Sequence, residues 1–269
     1  MSRHIKGKII SVEKVVPDIY KMTVESPYIS QNAKPGQFIN IRCSEGLDMI
    51  LRRPISIAGA DKLKNTFDIY YQIRGTGTKC LSRKKAGEEV DIIGPVGNSF
   101  DIFNEYTNIA VVGGGIGIFP LYFLLKEKTD GMKTAFLGFR DKEHIVLEDE
   151  FNEAADKLIL TTDDGSAGRK GLVTQMLEED LKLNKYDIIY TCGPLPMMKK
   201  VVQLADMYNI KCQVSMEQRM GCGIGACLVC ACKIKLNNES QDWVYGHLCK
   251  DGPVFWSNQV VLEDFEGEN

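Results

Sequence analysis

At 269 residues the chain is long enough for two domains and a small appended module. Its 44% hydrophobic and 26% charged residues suit an ordinary globular protein, and a net charge of -3 gives no electrostatic case for nucleic acid or an anionic membrane. Three histidines argue against a histidine-rich metal centre, no apolar run approaches the length of a membrane span, and the N-terminus alternates like a strand rather than a secretion signal, so a cytoplasmic protein is expected.

Residues 1–101 read as a domain of short β-rich stretches, at 8–16, 19–24, 37–42, 54–58, 67–73 and 90–93. They are punctuated by Pro17, Pro27, Pro35-Gly36, Asp61-Lys62 and Gly94-Pro95. Short strands at even spacing predict an antiparallel β-barrel. Within it, Arg53, Pro54, Ile55 and Ser56 lie on one strand, and Gly75-Thr76-Gly77-Thr78 opens the turn after another. An arginine fork suits a diphosphate, and a glycine turn at a helix start offers bare N–H groups to the same anion. Singly these are weak signals, since an Arg pair is usually solvated and the glycines could form any turn.

Between 102 and 214 the rhythm changes. Buried-strand runs begin at Asn108, Met132, Lys157 and Tyr186, with helical stretches such as 119–128 and 172–181 between them, and a last strand over 211–215 is expected to close the sheet. Apolar strands alternating with helices predict an α/β domain with a parallel sheet. Gly113, Gly114, Gly115 and Gly117 follow the first of these strands and open a helix, the place for a dinucleotide diphosphate, although Ile118 breaks the G-x-G-x-x-G pattern. A tight structural turn is the alternative. Asp163 ends a later strand, where a carboxylate favours free ribose hydroxyls and hence NAD over NADP. Cys192-Gly193-Pro194 ends another, and Cys192 reads equally as a nicotinamide rim or as a packed thiol.

The region 215–269 forms the third unit and holds five of the nine cysteines. Cys222, Cys227 and Cys230 are spaced C-x4-C-x2-C, with Cys249 at a distance, the plant-type arrangement for a 2Fe–2S cluster. Gly221, Gly223 and Gly225 let the loop wrap closely and leave N–H groups free to face sulfur. Structural zinc fits the four-residue gap poorly, and inert thiols would not cluster this way, but both remain open on spacing alone. Cys232 alternates with Cys230 and stays outside the ligand set.

Taken in order, RPIS at 53–56, G-x-GT at 75–78, GPVGN at 94–98, GGGIG at 113–117, LGFR at 137–140, TDDG at 162–165 and CGP at 192–194 resemble the ferredoxin reductase superfamily. The loop MGCGIGACLVCACK at 220–233, with LCKDGPVF at 248–255, is similar to the electron-transfer subunits of type B dihydroorotate dehydrogenases across essentially the whole chain. That resemblance implies FAD on Arg53, Pro54, Ile55 and Ser56, with Tyr70, Tyr71 and Gln72 flanking its ring or adenine and Gly77 and Thr78 at its diphosphate. It implies a cluster on Cys222, Cys227, Cys230 and Cys249, NAD(H) as substrate, and Ser56 as the residue aiding hydride transfer. It further implies an FMN-containing catalytic subunit that converts dihydroorotate to orotate in pyrimidine biosynthesis, in a heterotetramer of two of each. Gln72 stands where related chains often carry a basic residue, and the segment 235–246 lengthens the path to Cys249. An apolar rim at Leu228, Val229 and Phe255 is the expected partner-facing surface. A related NAD(P)H-dependent ferredoxin or sulfide oxidoreductase subunit, a lone diaphorase and a zinc module on a nucleotide sensor are the competing expectations.

Overall fold

The computed structural model describes residues 2–46, 49–236 and 242–262. Along the first third run β1 (Arg3–Val16), β2 (Ile19–Glu25), α1 (Pro27–Asn32), β3 (Phe38–Ile41), β4 (Arg53–Asp61), β5 (Thr66–Gln72), α2 (Thr76–Leu81) and β6 (Glu89–Val96). The six strands close into an antiparallel barrel in the order β1-β2-β5-β4-β3-β6. Period-two alternation turns Ile9, Met22, Val24, Ile39, Ile41, Ile57, Ile69 and Ile92 into its interior, and burying such side chains stabilises the fold by roughly 1.5–3 kcal/mol each.

Beyond the barrel come β7 (Asn108–Gly114), α3 (Ile118–Glu127), β8 (Met132–Phe139), α4 (Glu148–Ala154), β9 (Lys157–Thr162), β10 (Arg169–Lys170), α5 (Val173–Leu181), β11 (Ile188–Cys192), α6 (Leu195–Met207) and β12 (Lys211–Ser215). The chain ends with β13 (Ala231–Lys235), β14 (Trp243–His247), α7 (Leu248–Asp251) and β15 (Val254–Trp256). The second sheet has the order β10-β9-β8-β7-β11-β12-β15, so its strand order reverses between β7 and β11. In open α/β sheets ligands bind at the carboxyl ends of strands at such a switch point.

One expectation is corrected. The strand over 211–215 does not close the sheet, because β15 returns from the cysteine-rich segment and pairs antiparallel with β12. An apolar Val-Phe strand covers what would otherwise be an open edge. The return is clamped from the barrel: Asn98 Nδ2 donates to the carbonyls of Asp251 and Val254, and its Oδ1 accepts from Val254 N–H. Gly97, at φ +80°, lies so close to Gly252 that a Cβ would fall 2.6 Å from the Gly252 carbonyl oxygen. A single core consequently contains Phe38 and Val96 from the barrel, Val112 and Val214 from the sheet, and Cys230, Cys249 and Phe255 from the C-terminal segment. Part of the 235–246 insertion, residues 237–241, lies outside the described residues.

The sheet's outer half is tied down by Asp180 on α5. Its buried carboxylate accepts from Lys157 Nζ at 2.7 Å, Tyr186 Oη at 2.6 Å and Asn184 Nδ2 at 3.1 Å. Burial alone would raise its pKa, but these three donors outweigh it and hold the carboxyl below its ordinary value. Asp180→Ala is expected to destabilise the chain by about 1–3 kcal/mol in urea denaturation, because it removes the acceptor of the buried Tyr186 phenol, while the half-exposed Lys157 ammonium turns to water. With its native pKa depressed, Asp180 contributes fully above the unfolded carboxyl value of ~3.9 and loses that contribution as pH falls through the native value, a pH-dependent slope the alanine variant should lack.

Candidate functional site

The residues that the sequence motifs mark fall in three places, and the fold brings these against one another. The first is a seam in the barrel. Strand β4 pairs with β5 from Asp61↔Thr66 only as far as Ile57↔Ile69. Beyond that register the strands part, and the parted ends are Arg53 to Ser56 on one side and Tyr70 to Gln72 on the other. Backbone N–H and C=O groups in such a gap have no ladder partner across it and are available to a flat polar edge. At its mouth Gly77 stands against Arg53, where a Cβ would lie 3.1 Å from Arg53 Nε. The Thr78 hydroxyl closes the adjoining turn, accepting from Arg74 N–H at 3.1 Å and donating to the Gly75 carbonyl.

Alternation divides the motif residues between faces. Ile55 is buried in the barrel core, whereas Pro54 is exposed and Ser56 half-buried on the outer face. Tyr70 turns toward the second domain and stacks on Phe119 of α3 with centroids 4.5 Å apart, a contact worth about 0.5–1.5 kcal/mol beyond its buried area. Tyr71 points the opposite way, into the barrel core, with its hydroxyl buried and unpartnered. Gln72 accepts from Arg74 Nε at 3.1 Å, so a guanidinium two residues on lies beside the position where a basic residue was expected. Arg52, next to the motif, turns away and donates to Asp91 Oδ1 and to the Asp91 carbonyl.

The second place is the switch point. Gly113 at the end of β7 pairs with Cys192 at the end of β11, so the glycine turn and the Cys-Gly-Pro turn form facing lips. The glycines there serve different purposes. A Cβ on Gly113 would meet Ile118, one on Gly114 would meet Met197 and Pro194, and one on Gly117 would lie 2.5 Å from the Cys192 carbonyl oxygen. Only Gly115, at φ +53°, faces open space. Cys192 contributes backbone to the rim, while its thiol is buried and, by desolvation first, pushed well above the ordinary thiol range. Asp163 is exposed immediately after the carboxyl end of β9.

The third place is the cysteine loop. Cys222 Sγ accepts from the N–H groups of Ile224 at 3.4 Å, Ala226 at 3.3 Å and Cys227 at 3.4 Å. Cys227 Sγ accepts from Cys222 N–H, Cys249 Sγ accepts from Gly225 N–H at 3.1 Å, and the Cys230 and Cys249 sulfurs are 3.4 Å apart. Burial acts to raise the Cys222 pKa, but the N–H groups of Ile224, Cys227 and Ala226 outweigh it and lower the thiol to about 6. Four sulfurs converging inside a cage of backbone donors fit a thiolate-bound cluster, because such donors stabilise sulfur that carries negative charge. Cys232 is buried behind Cys230, with its thiol raised by burial to about 12. The expected rim is corrected at one residue: Leu228 and Val229 are exposed, but Phe255 is buried, because β15 inserts it into the shared core.

A cleft of about 880 Å³ between barrel, sheet and cysteine loop reaches Cys249 and Ile224 but none of the residues of the seam or the switch point. Two features are not foreshadowed by any motif, the split register of β4 and β5 and the contact of Asn40 with the loop. Neither has a sequence signature, since both depend on which strands become neighbours.

Residues 217–261 match the iron–sulfur cluster binding domain of dihydroorotate dehydrogenase B, and residues 111–203 match the oxidoreductase NAD-binding domain. A chain that seats such a cluster domain against both a split barrel and a dinucleotide-type sheet is an iron–sulfur oxidoreductase of the ferredoxin reductase type. Along its length it is 40% identical over 258 residues to the dihydroorotate dehydrogenase B (NAD(+)) electron transfer subunit of Caldanaerobacter subterraneus subsp. tengcongensis, covering 96% of this chain and 98% of that one. The equivalent subunit of Desulforamulus reducens is 38% identical over 265 residues, covering 98% and 100%. The chain belongs to the family of dihydroorotate dehydrogenase B electron transfer subunits. Among solved structures, that of an NADH-dependent reduced ferredoxin–NADP oxidoreductase, described for flavin-based electron bifurcation, superposes with a TM-score of 0.85 at 33% identity, covering 96% of this chain and 90% of that one. A ferredoxin NADP+ reductase from Neisseria gonorrhoeae shares the fold at a TM-score of 0.63 and 16% identity, covering 76% and 91%. No helix among the described residues is long and apolar enough to cross a membrane.

Proposed function

We propose that this chain relays electrons between NAD(H) and an FMN-containing dihydroorotate dehydrogenase catalytic subunit, through FAD in the barrel seam and a 2Fe–2S cluster on Cys222, Cys227, Cys230 and Cys249. The observation that carries this reading is the placement of the three sites. The parted strands meet the dinucleotide domain through Tyr70 on Phe119, the thiol loop meets the barrel through Asn40, and Cys230 and Cys249 share a core with Val112 at the foot of the glycine lips. When bound, FAD would exchange a hydride with the nicotinamide and single electrons with the cluster, so that two electrons and one proton balance each NADH oxidised or NAD+ reduced.

The chain's own residues do the positioning. Arg53, Gly77 and Thr78 hold the diphosphate end, and Pro54, Ile55, Tyr70, Tyr71 and Gln72 frame the ring through the backbone of the seam. Ser56 stands at the reacting edge and aids hydride transfer. Gly113, Gly114, Gly115 and Gly117 admit the nicotinamide dinucleotide, the Cys192 backbone forms its rim, and Asp163 takes the ribose hydroxyls. The functional units are 1–101, 102–214 and 215–269, two copies of this chain pair with two catalytic subunits, and the assembly works in the cytoplasm, where Cys43, Cys80, Cys192, Cys212 and Cys232, outside the ligand set, stay reduced. Exposed Ile224, Leu228 and Val229 ring the thiol loop as the docking face, and Leu228 holds a left-handed backbone at φ +62° there. The relatives' names support this partner over others.

The test is anaerobic purification with iron, sulfide and flavin analysis and identification of the co-purifying chain. Iron, sulfide, FAD and an FMN-bearing TIM-barrel partner are expected, with slower flavin reduction by NADH in Ser56→Ala. Colourless, iron-free material would sink the reading. A second reading, a reductase working with a ferredoxin-type partner, is favoured by the likeness to the bifurcating oxidoreductase, and a different co-purifying chain would select it.

A further inference from the structure

Asn40 occupies a position where an amide is costly. It lies on β3 directly opposite Pro54 of β4 and is 0% exposed. Residues 39 and 41 on either side of it fill the barrel core, so Asn40 points to the outer face, under the thiol loop. There its Nδ2 donates to the Cys222 carbonyl at 3.2 Å. Gly223, at φ +71°, rests on the same amide, and a Cβ added to it would collide with Asn40 Nδ2. Among the described residues, Asn40 Oδ1 is one of only two buried side-chain polar atoms without a partner. A buried acceptor left unpaired costs about 1–3 kcal/mol, which an apolar residue of similar size would avoid. The amide orientation is set by the contact itself, since the carbonyl of Cys222 can only accept.

We propose that Asn40 is a positioning residue for electron exchange between flavin and cluster. Its amide clamps Cys222 and Gly223 onto β3, whose neighbour β4 opens on its far edge into the flavin seam, and so fixes the spacing between the two redox centres. This rests on the relay proposed for the chain. The seam begins one strand away from Asn40, across Pro54. A loop held to β3 by this contact keeps a constant distance to β4, because neighbouring strands are themselves locked in register. Losing the contact would let the loop settle elsewhere, and electron exchange between two separated centres slows as the distance between them grows.

The experiment uses the full chain in complex with its co-purifying partner, as wild type, Asn40→Asp and Asn40→Leu. Leucine has a similar volume but cannot donate to the Cys222 carbonyl, whereas aspartate breaks the contact only in its carboxylate form, which adds negative charge beside the cluster. Flavin content, iron content and the rate of flavin reduction by NADH should match wild type in Asn40→Asp. Rapid-scan absorbance should show cluster reduction slowed several-fold. The electron paramagnetic resonance spectrum of the dithionite-reduced cluster should change in line shape, and its midpoint potential should fall. Asn40→Leu should slow the same step without the charge-driven drop in potential, and should it fail to fold, the aspartate variant decides alone. Wild-type cluster reduction and an unchanged spectrum in Asn40→Asp would overturn the assignment, as would loss of iron from that variant, which would make Asn40 a folding residue. Absence of flavin or iron from the wild-type complex would instead overturn the relay itself, and this inference with it.

Discussion

Cys222→Ala should leave a protein that still binds flavin and still reduces a dye with NADH, yet holds no iron and passes no electrons to its partner. Of the four thiols, Cys222 receives the most backbone donation, with three N–H groups converging on its sulfur. Those donors outweigh opposing burial and lower its pKa to about 6, which favours the thiolate form that binds iron. Alanine removes a ligand and also leaves three N–H groups aimed at empty space, so the loop loses the anion around which it wraps. Cys227, Cys230 and Cys249 cannot close a four-thiolate site alone, and Cys232 lies behind Cys230 with a thiol raised to about 12 by burial. The barrel seam is built from β4, β5 and α2, none of which contains a loop residue, so the flavin step survives. Iron and sulfide assay, the visible spectrum and dye reduction check this together. Retained iron, or partner reduction at the wild-type rate, would remove Cys222 from the ligand set.

The second large effect is expected at Gly117. A methyl there would lie 2.5 Å from the Cys192 carbonyl oxygen and 2.6 Å from Gly193 Cα, both backbone atoms at the end of a central strand. Flexible side chains can yield to such a contact, but a strand paired on both sides cannot. Gly117→Ala must therefore force the two lips of the switch point apart, at the cost of about 1–3 kcal/mol typical of overpacking, and more if β11 holds its register. NADH-dependent flavin reduction should fall by at least about tenfold, the equivalent of 1.4 kcal/mol. Gly115→Ala separates packing from access. Its Cβ would meet no protein atom within 4 Å, so its stability loss is limited to the left-handed backbone penalty of roughly 1–2 kcal/mol, and the activity it loses reports a methyl in the space the dinucleotide would take. A stability loss in Gly117→Ala no larger than in Gly115→Ala would mean that the lips are not set by the Gly117 contact.

Much of this molecule is legible in its sequence, for physical reasons that operate locally. Alternation at 19–24 or 67–73 sorts side chains to two faces whatever the strand pairs with, and β2 and β5 form there. The spacing of Cys222, Cys227 and Cys230 restricts which metal group one loop can wrap, because ligand geometry acts over a few residues. Helix α6 is not among the expected helices, although its apolar face at Met198, Val201, Leu204 and Ala205 is a periodicity present in the chain. Tertiary structure alone decided the rest. That β4 parts from β5 beyond Ile57, that Phe255 is buried because β15 joins the dinucleotide sheet, and that Asn40 meets Cys222 from 182 positions away are outcomes of which strands become neighbours. Local pattern fixes the face a residue turns outward, but long-range packing chooses what lies against that face, since the free energy of burial depends on area and not on sequence distance.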